Sequence, residues 1–457
     1  MVIIEPEKKT KVIDTVDLCV LGGSCTGVFA AIRAAKLGAK VAIVEKQNCF
    51  GGVATAGLVN IWHSFTDNER KKQIIAGLNL EIIERLKTRG AVIDKENTLK
   101  ANDCNAYYFN SEELKLELDT LVRENRITPY LHTFFVSPHV EDGHLSAVIV
   151  ENKSGRSAIK ANLFLDATGD GDLCRMLGIP SYTSDHMQPP SYCVKLLGTN
   201  NISLSGFDLQ SEIALHGKEF GLEDDWGWTA DIPNTSEMRM HADTHVFRVN
   251  CAHADELTYS EIEGRRQIRA VMDLIRKYAP DGNRITLASL ASEIGIRESY
   301  HIKSKYKITD EDLLSGKSYN DTIANGSYRV DIHHSGEAGI TFRYLDGSET
   351  VIHGRGKQAK STVGRWREQT ETNPTFYQIP YRSLLPESTY DNLLFCGRMI
   401  DAEGQAFSAL RVMVNLNQTG EAAGVAAYCA LNGDTGVDKV DTNTVRKLLT
   451  SGGSILF

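Results

Sequence analysis

The chain has 457 residues, a length that predicts more than one hydrophobic core. Of these residues 42% are hydrophobic and 24% are charged, which is typical of a folded globular protein. Its net charge of −9 argues against a nucleic-acid-binding surface, because such a surface needs a basic patch. No apolar run reaches the roughly 18 residues that a membrane-spanning helix requires, so we expect neither nucleic acid nor membrane as a partner.

The N-terminal segment and the cysteines bear on the cellular compartment. Residues 1–15 are charged and lack the apolar core of a secretory signal peptide. The nine cysteines are scattered without a Cys-x-x-Cys motif, and several lie in apolar segments, such as Cys19, Cys396 and Cys429. We therefore expect reduced, mostly buried thiols in a cytoplasmic protein.

The stretch from Asp17 to Glu45 predicts a βαβ unit. An apolar run breaks into the turn Gly22-Gly-Ser-Cys-Thr-Gly27, a helix of small residues follows, and a second apolar run ends on Glu45. Gly22 permits a tight turn and Gly27 permits close approach of helix and strand. Ser24 replaces the usual middle glycine. The helix N-terminus favours a pyrophosphate, and Glu45 can accept the hydroxyls of a ribose. The stretch as a whole favours dinucleotide binding over a purely structural βαβ unit.

The loop after Glu45 contains little side-chain bulk. Gly51, Gly52 and Gly57 lie within 13 residues of sequence that begin at Lys46, as expected of backbone that passes close to a flat ligand. His63 follows this loop, and the sequence leaves open whether it faces the ligand or is an ordinary loop histidine.

Periodicity then predicts helices and a β-meander. We expect an amphipathic helix over Gln73–Arg89 and a second helix from a capping Ser111 to about Glu124. The meander ends in Asp166-Ala-Thr-Gly-Asp-Gly-Asp172, whose small residues allow a second close approach to the ligand. Its strands are predicted at 130–136, 145–151 and 157–166.

The middle of the chain, 181–385, has irregular periodicity and many histidines, and we predict that it forms a separate substrate domain. Residues 261–278 and 310–314 favour helices. Arg297 and His301 would share one face if their segment were helical, and Asp331-Ile-His-His-Ser335 places an acid beside two imidazoles. Because no His-Glu-x-x-His or Cys/His framework accompanies these histidines, no metal site is expected.

The nucleotide domain is predicted to be discontinuous, comprising 13–180 and 386–457. Its second part contains a buried strand that ends at Gly397 and one long helix over 408–431, whose stripe of small residues permits close packing. The positive N-terminal end of that helix, near Ala409–Val412, could stabilise negative charge on a reduced isoalloxazine ring.

These segments together resemble the FAD-dependent oxidoreductase family, some members of which carry the label xanthan lyase. The resemblance rests on Gly22–Gly27 with Glu45, on Asp166-Ala-Thr-Gly169, and on Cys396-Gly-Arg-Met399 with the helix after it. Ile296-Arg-Glu-Ser and Val330-Asp-Ile-His333 also resemble a mid-chain signature of this family.

The resemblance implies an α/β fold of the glutathione-reductase type with a single dinucleotide site. A Rossmann-like FAD-binding domain, built from a parallel sheet and a β-meander, would carry an inserted α+β substrate domain. The pyrophosphate would contact the glycine-rich turn, and the adenosine ribose would contact Glu45. The adenine would contact the strand around Val136, and the flavin would contact the C-terminal segment. The residues expected to bind FAD are Gly22, Gly23, Ser24, Cys25, Thr26, Gly27, Glu45, Lys46, Gly52, Val53, Val136, Ala167, Thr168, Gly169, Gly397, Arg398, Asp401, Ala409, Leu410, Arg411 and Val412.

The predicted function is hydride transfer between a small polar substrate and FAD. With one nucleotide fingerprint and no Cys-x-x-Cys motif, the enzyme would need a separate electron acceptor or donor. His63 or His301 would accept the proton and Arg297 would hold the substrate, although structural roles are an equal alternative. A modifying protein that holds FAD or NAD, similar to tRNA-modification proteins or thiazole synthase, is the rival interpretation. The sequence leaves open whether the chain forms a homo-oligomer.

Overall fold

The computed structural model describes residues 2–4, 6–95, 106–199, 206–336 and 338–457, and its strands fall into several sheets. Numbered in chain order, the strands are β1 Lys11–Leu21, β2 Val41–Val44, β3 Ile61–His63, β4 Val92–Asp94, β5 Ala106–Phe109, β6 Thr128–Tyr130, β7 Phe134–Glu141, β8 His144–Asn152, β9 Gly155–Asp166, β10 Ser181–Tyr182, β11 Val194–Leu197, β12 Trp228–Asp231, β13 Met238–Ala242, β14 Thr286–Leu290, β15 His301–Ile302, β16 Thr322–Gly326, β17 Val330–His333, β18 Ile340–Arg343, β19 Ser348–His353, β20 Lys360–Arg365, β21 Tyr377–Pro380 and β22 Leu393–Phe395.

The helices connect and cover these sheets. In chain order they are α1 Cys25–Leu37, α2 Leu78–Thr88, α3 Ser111–Glu124, α4 Asp172–Met176, α5 Leu209–His216, α6 Ala254–Tyr278, α7 Asp310–Leu314, α8 Gly404–Leu410, α9 Met413–Gly433 and α10 Thr442–Ser451. No helix in the described ranges is long and apolar enough to cross a membrane.

A seven-stranded sheet joins the two ends of the chain, as predicted for the Rossmann-like domain. Its order is β6-β2-β1-β9-β8-β7, and β22 pairs with β9. The pairs β1–β2, β2–β6, β1–β9 and β9–β22 are parallel, whereas β7–β8 and β8–β9 are antiparallel. The α/β fold with a parallel sheet and a β-meander is therefore confirmed.

The register of this sheet brings several strand ends to one edge. Leu21 at the end of β1 pairs with Val44 at the end of β2 and with Asp166 at the end of β9. Phe395 at the end of β22 also pairs with Asp166. Because ligands of such sheets bind outside the carboxyl ends of the strands, this edge is where a dinucleotide site is expected.

Helices α1 and α9 pack with their backbones in close contact. A Cβ atom added at Gly420 would collide with the Thr26 carbonyl oxygen, and one at Gly424 with the Ala30 carbonyl oxygen. The predicted close packing along the small-residue stripe of the C-terminal helix is thus confirmed.

That C-terminal helix is not continuous, however, and the prediction of one helix over 408–431 was wrong. It is divided into α8 and α9 at Arg411–Val412, where Val412 has an extended backbone with φ −66° and ψ 142°. The Ala409 carbonyl at the end of α8 accepts hydrogen bonds from the Tyr377 hydroxyl and the Asn415 amide, both at 3.1 Å. Side chains therefore satisfy the end of α8, and a new helix begins.

Three further helix starts differ from the predictions, and one of them is the helix expected over 261–278, which begins at Ala254. The helix expected from Gln73 begins only at Leu78. Ser111 is the first residue of α3 rather than its cap, because the Asn110 side chain accepts the Glu112 N–H at 3.0 Å. Helix α7 has the predicted bounds, with Thr309 and Asp312 forming a capping box.

The middle of the chain adds smaller sheets and a second core. The antiparallel sheet β12-β13-β11-β14 packs in a buried cluster with Ile268, Val271 and Ile275 of α6. Buried residues later in this region, including Ile323 and Tyr377, instead belong to the same core as α1 and α9. The domain boundaries proposed at 181 and 385 stay a prediction.

Candidate active site

A cavity of about 730 Å³ lies at the carboxyl edge of the seven-stranded sheet. Its lining comes from the turn after β1, the loop after β2, the segments after β9 and β22, and the beginning of α9. Strands β17 and β18 and the segment 293–297 also line it, together with residues of β3, β5, β12 and β19. Its volume is in the range of sites that hold cofactors and small molecules.

The glycine-rich turn forms one part of the lining. Gly22 has φ 100°, and a Cβ atom there would collide with the Ala167 carbonyl oxygen. A Cβ atom at Gly27 would collide with the Gly22 carbonyl oxygen, so both positions require glycine. Ser24, which replaces the usual middle glycine, has φ −59°, a value that any residue adopts, so its backbone is not strained.

The N-terminus of α1 faces the same turn. Val28 donates its N–H to the Ser24 carbonyl at 2.9 Å, so the N–H groups of the preceding turn point out of the helix end. Cys25 and Thr26 of that turn line the cavity. Free N–H groups and the positive end of the helix dipole suit a diphosphate.

Glu45 is held rigidly beside this turn. Its carboxylate accepts the Gly23 N–H at 2.6 Å and the Gln47 N–H at 2.7 Å. The side chain is buried yet lines the cavity, and each carboxylate oxygen retains a lone pair for a further donor such as a ribose hydroxyl. Gly51 donates its N–H to the Gly23 carbonyl at 2.8 Å, which holds the following loop against the turn.

The segment after β9 meets the segment after β22. Arg398 donates to the Asp170 carboxylate at 2.5 Å, and the Ser299 hydroxyl donates to the same oxygen at 2.6 Å. Burial raises the pKa of Asp170, but the Arg398 guanidinium, the Ser299 hydroxyl and the Lys46 ammonium together outweigh burial and hold the pKa below its usual value. Gly169 packs against Arg398, since a Cβ atom there would lie 2.8 Å from its Nη1.

The beginning of α9 forms the next part of the wall. Val412, Met413 and Leu416 line the cavity, so the positive end of this helix adjoins it. Ala409 and Leu410, which were expected at this helix end, are instead buried within α8. Arg411 lies between the two helices and donates to the Gln188 side chain and the Asp331 carbonyl, both at 3.1 Å.

Arg297 lies in the wall that the middle of the chain contributes. Its Nη1 donates to the Pro189 carbonyl at 2.6 Å and to the Ser191 hydroxyl at 2.8 Å, which fixes the guanidinium. Burial lowers the pKa of Arg297 to about 10, and the neighbouring Arg411 adds to this effect. The side chain therefore remains a cation at neutral pH.

Two of the cavity-lining residues are cysteines. Burial raises the pKa of Cys25 and of Cys193 to about 12, so both are protonated thiols at neutral pH. Because thiol–disulfide chemistry needs a thiolate, these two residues do not favour it.

The structure brings most of the predicted site residues to this one cavity. Those that line it are Gly22, Ser24, Cys25, Thr26, Glu45, Lys46, Gly52, Val53, His63, Ala167, Thr168, Gly169, Arg297, Gly397, Arg398, Arg411 and Val412. Gly23, Gly27, Val136, Asp401, Ala409, Leu410 and His301 are predicted site residues outside its lining.

His301 illustrates why some predicted residues lie elsewhere. The segment that contains Arg297 is not helical, and His301 is in β15. Its ring nitrogens lie 2.9 Å from the Ile400 carbonyl and 3.1 Å from a Glu298 carboxylate oxygen, and Tyr182 stacks on the ring. Both nitrogens thus have structural partners. The Asp401 carboxylate likewise accepts hydrogen bonds from the Tyr182 hydroxyl and the Ser304 N–H.

Asp331 and His333 line the cavity but were not among the predicted site residues. Both belong to β17, and residues two apart on a strand point to the same face. The alternation in Val330-Asp-Ile-His333 was the signal that could have placed them together. His63 also lines the cavity, with its ring 4.9 Å from that of Tyr328.

The family model for FAD dependent oxidoreductases matches residues 17–449. The chain belongs to the FAD-dependent oxidoreductase family. FAD is the cofactor of this family, and the glycine turn, the open end of α1 and the fixed Glu45 fit its dinucleotide part. No group of three or more His, Cys, Asp or Glu side chains in the described ranges is arranged to hold a metal ion.

Other likenesses are more distant or cover less of the chain. The mitochondrial dihydrolipoyl dehydrogenase of Schizosaccharomyces pombe is 32% identical over 84 residues, which are 16% of this chain and 16% of that protein. The match thus spans a small part of this curated relative.

Two solved structures are similar over most of the chain. A geranylgeranyl bacteriochlorophyll reductase-like protein from Thermoplasma acidophilum has 11% identity and a TM-score of 0.46, covering 96% of this chain and 83% of its own. A flavoprotein/dehydrogenase from Cytophaga hutchinsonii has 14% identity and a TM-score of 0.46, and the match covers 95% of this chain and 83% of that protein's chain.

Proposed function

We propose that this FAD-dependent oxidoreductase transfers a hydride between a small polar substrate and FAD within the cavity described above. The observation that supports this most is the position of Arg297, a half-buried cation that two hydrogen bonds fix in the same cavity as the beginning of α9. When bound, FAD supplies the two-electron acceptor or donor.

Arg297 is suited to orient the substrate. Its Nη1 is occupied by protein acceptors, while the guanidinium retains further donors that can hold a carboxylate or hydroxyl group. A held substrate presents one carbon in a fixed geometry, which lowers the entropic cost of the transfer.

The aromatic residues of the wall are suited to exclude water. Trp226, Trp228, Tyr328 and Phe342 line the cavity near β17 and β18. Apolar surface there limits solvent access and strengthens the interactions of Arg297 with a polar substrate. A separate electron acceptor or donor completes the cycle, since the chain has a single nucleotide fingerprint.

The test is the anaerobic reduction of bound FAD by a panel of sugars, hydroxy acids and amines. With whichever substrate reduces the wild-type flavin, Arg297→Ala should lower the reduction efficiency roughly 10- to 100-fold, because charge-assisted hydrogen bonds contribute about 1.5–3 kcal/mol. His63→Gln tests the predicted role of that imidazole in the same assay.

The matched control is Arg276→Ala, since Arg276 is an exposed residue of α6 paired with Asp273. It should reduce at the wild-type rate, and all variants must retain FAD. If Arg297→Ala also reduces at the wild-type rate, Arg297 does not hold the substrate.

A further inference from the structure

His333 and His245 form a pair of neighbouring buried imidazoles at the wall of the cavity. Their ring centroids are 4.8 Å apart, and the exposed fraction of the residue is 5% for His333 and 3% for His245. Nδ1 of His333 and Nε2 of His245 are buried without a hydrogen-bond partner. Such unpaired buried nitrogens are costly, so each one calls for an explanation, and a catalytic role is one of them.

The two nitrogens of His333 have different surroundings. Nδ1 is the buried one, whereas Nε2 lies 3.4 Å from an oxygen of Asp331, which itself lines the cavity. His333 itself lines the cavity, and since Nδ1 is the fully buried nitrogen, Nε2 is the one that can reach a bound substrate.

His245 has a carboxylate behind it. Its Nδ1 is 2.5 Å from an oxygen of Asp225, and the other Asp225 oxygen accepts the Gly339 N–H at 2.8 Å. Asp225, His245 and His333 thus lead from a fixed carboxylate to the cavity wall. A carboxylate in this position can stabilise positive charge on the imidazoles, as an aspartate does in a catalytic triad.

We propose that His333 is the proton acceptor of the reaction, with His245 and Asp225 as positioning residues. This inference rests on the proposed function. On substrate oxidation the C–H bond breaks and its electron pair leaves with the hydrogen to FAD. The hydroxyl or amino group on the same carbon loses its proton to Nε2 of His333. A C=O or C=N double bond forms, so the product is a carbonyl compound or an imine.

The charged groups around His333 favour its neutral form before the reaction. Burial lowers the pKa of His333 well below its usual value, and Arg297, His245, Arg411 and His334 lower it further, with Asp331 as the facing acid. A neutral imidazole at neutral pH can accept a proton at once.

The first test is His333→Gln in the FAD-bound protein, with a panel substrate that reduces the wild-type flavin. The reduction rate should fall at least 100-fold, because general base catalysis contributes about 10²–10⁴-fold. The acidic limb of the wild-type pH profile should disappear, and added imidazole should restore part of the rate, which a purely structural role would not predict.

Asp225→Asn tests the positioning residues. Loss of the carboxylate should shift the acidic limb to lower pH, because the protonated imidazole loses its stabilising charge. The shift is also measured without turnover, as the titration of the His333 resonance in NMR of protein with isotope-labelled histidine. The resonance is assigned by its absence in His333→Gln.

The control is His253→Gln, an exposed residue before α6, which should leave the rate and the pH profile unchanged. If His333→Gln fails to bind FAD, the smaller His333→Asn replaces it. A wild-type rate and pH profile in the His333 variant, or a His333 titration unmoved in Asp225→Asn, overturns the proposal. If no substrate reduces the wild-type flavin, the proposed function fails, while the NMR titration still decides whether Asp225 acts on His333.

Discussion

At the scale of single residues, Glu45 connects the glycine-rich turn to the loop that follows β2. Its two oxygens accept backbone N–H groups from Gly23 and Gln47, so the carboxylate supports the shape of the turn as well as facing the cavity. A change at this residue should therefore affect both the shape of the turn and the binding of the FAD ribose that we expect Glu45 to hold.

Glu45→Gln should weaken FAD binding, since it removes the negative charge that strengthens each accepted hydrogen bond. Loss of charge-assisted bonds of about 1.5–3 kcal/mol corresponds to a roughly 10- to 100-fold higher Kd. The measurement is a titration of the apoprotein with FAD, followed by quenching of flavin fluorescence.

Glu84→Gln is the matched control, because Glu84 is an exposed residue of α2 that pairs with Lys87. Its Kd for FAD should equal that of the wild type. An unchanged Kd in Glu45→Gln would show that Glu45 does not contact the cofactor.

The residues of the middle region were the hardest to place from the sequence. The spacing of Arg297 and His301 suggests a shared face only if the segment is helical, and residues 296–300 are irregular instead. The contacts of His301 with the distant Ile400 carbonyl and the Tyr182 ring are tertiary, and no local pattern encodes them. The sequence placed His333 beside Asp331, but only the strand alternation shows that both point to one face, and the partners of that strand decide which face lines the cavity.

At the scale of secondary-structure elements, the contact of α1 with α9 holds the two ends of the chain together. Arg33 of α1 donates to the Glu421 carboxylate of α9, and both side chains are buried. Around this pair the helices are close enough that glycine is required at Gly420 and Gly424. Because Thr26 meets Gly420 and Ala30 meets Gly424, the two helices run in parallel, and the glycine-rich turn and the beginning of α9 are held at the same end of the packed pair.

Gly424→Ala should destabilise the protein by about 1–3 kcal/mol, because the added methyl group would collide with the Ala30 carbonyl. This loss should exceed the gain of about 1 kcal/mol that alanine brings to a helix. The free energy of unfolding in urea is the quantity to measure.

Gly433→Ala is the control in the same helix, since the nearest atom to its added Cβ would be Cγ2 of Thr435 at 3.5 Å. It should be neutral or stabilising. Equal stability of Gly424→Ala and the wild type would contradict the close packing of α1 and α9.

At the scale of the whole molecule, the topology brings separate parts of the chain to one cavity. The parallel sheet of β2, β1, β9 and β22 could be predicted because each strand is an apolar run that leads into a loop or turn containing glycine. Local patterns of this kind report on strands and turns. The break between α8 and α9 and the wall formed by β17 and β18 depend on side chains from distant segments, so the sequence alone did not reveal them.

The most direct measurement on this chain is the identity and amount of the cofactor it binds. The purified protein should be yellow, and heat or acid should release one FAD per chain, identified by its absorption spectrum and its mass. A colourless protein that takes up NAD but not FAD in a titration would contradict the assignment of the cavity to FAD and the hydride transfer proposed there.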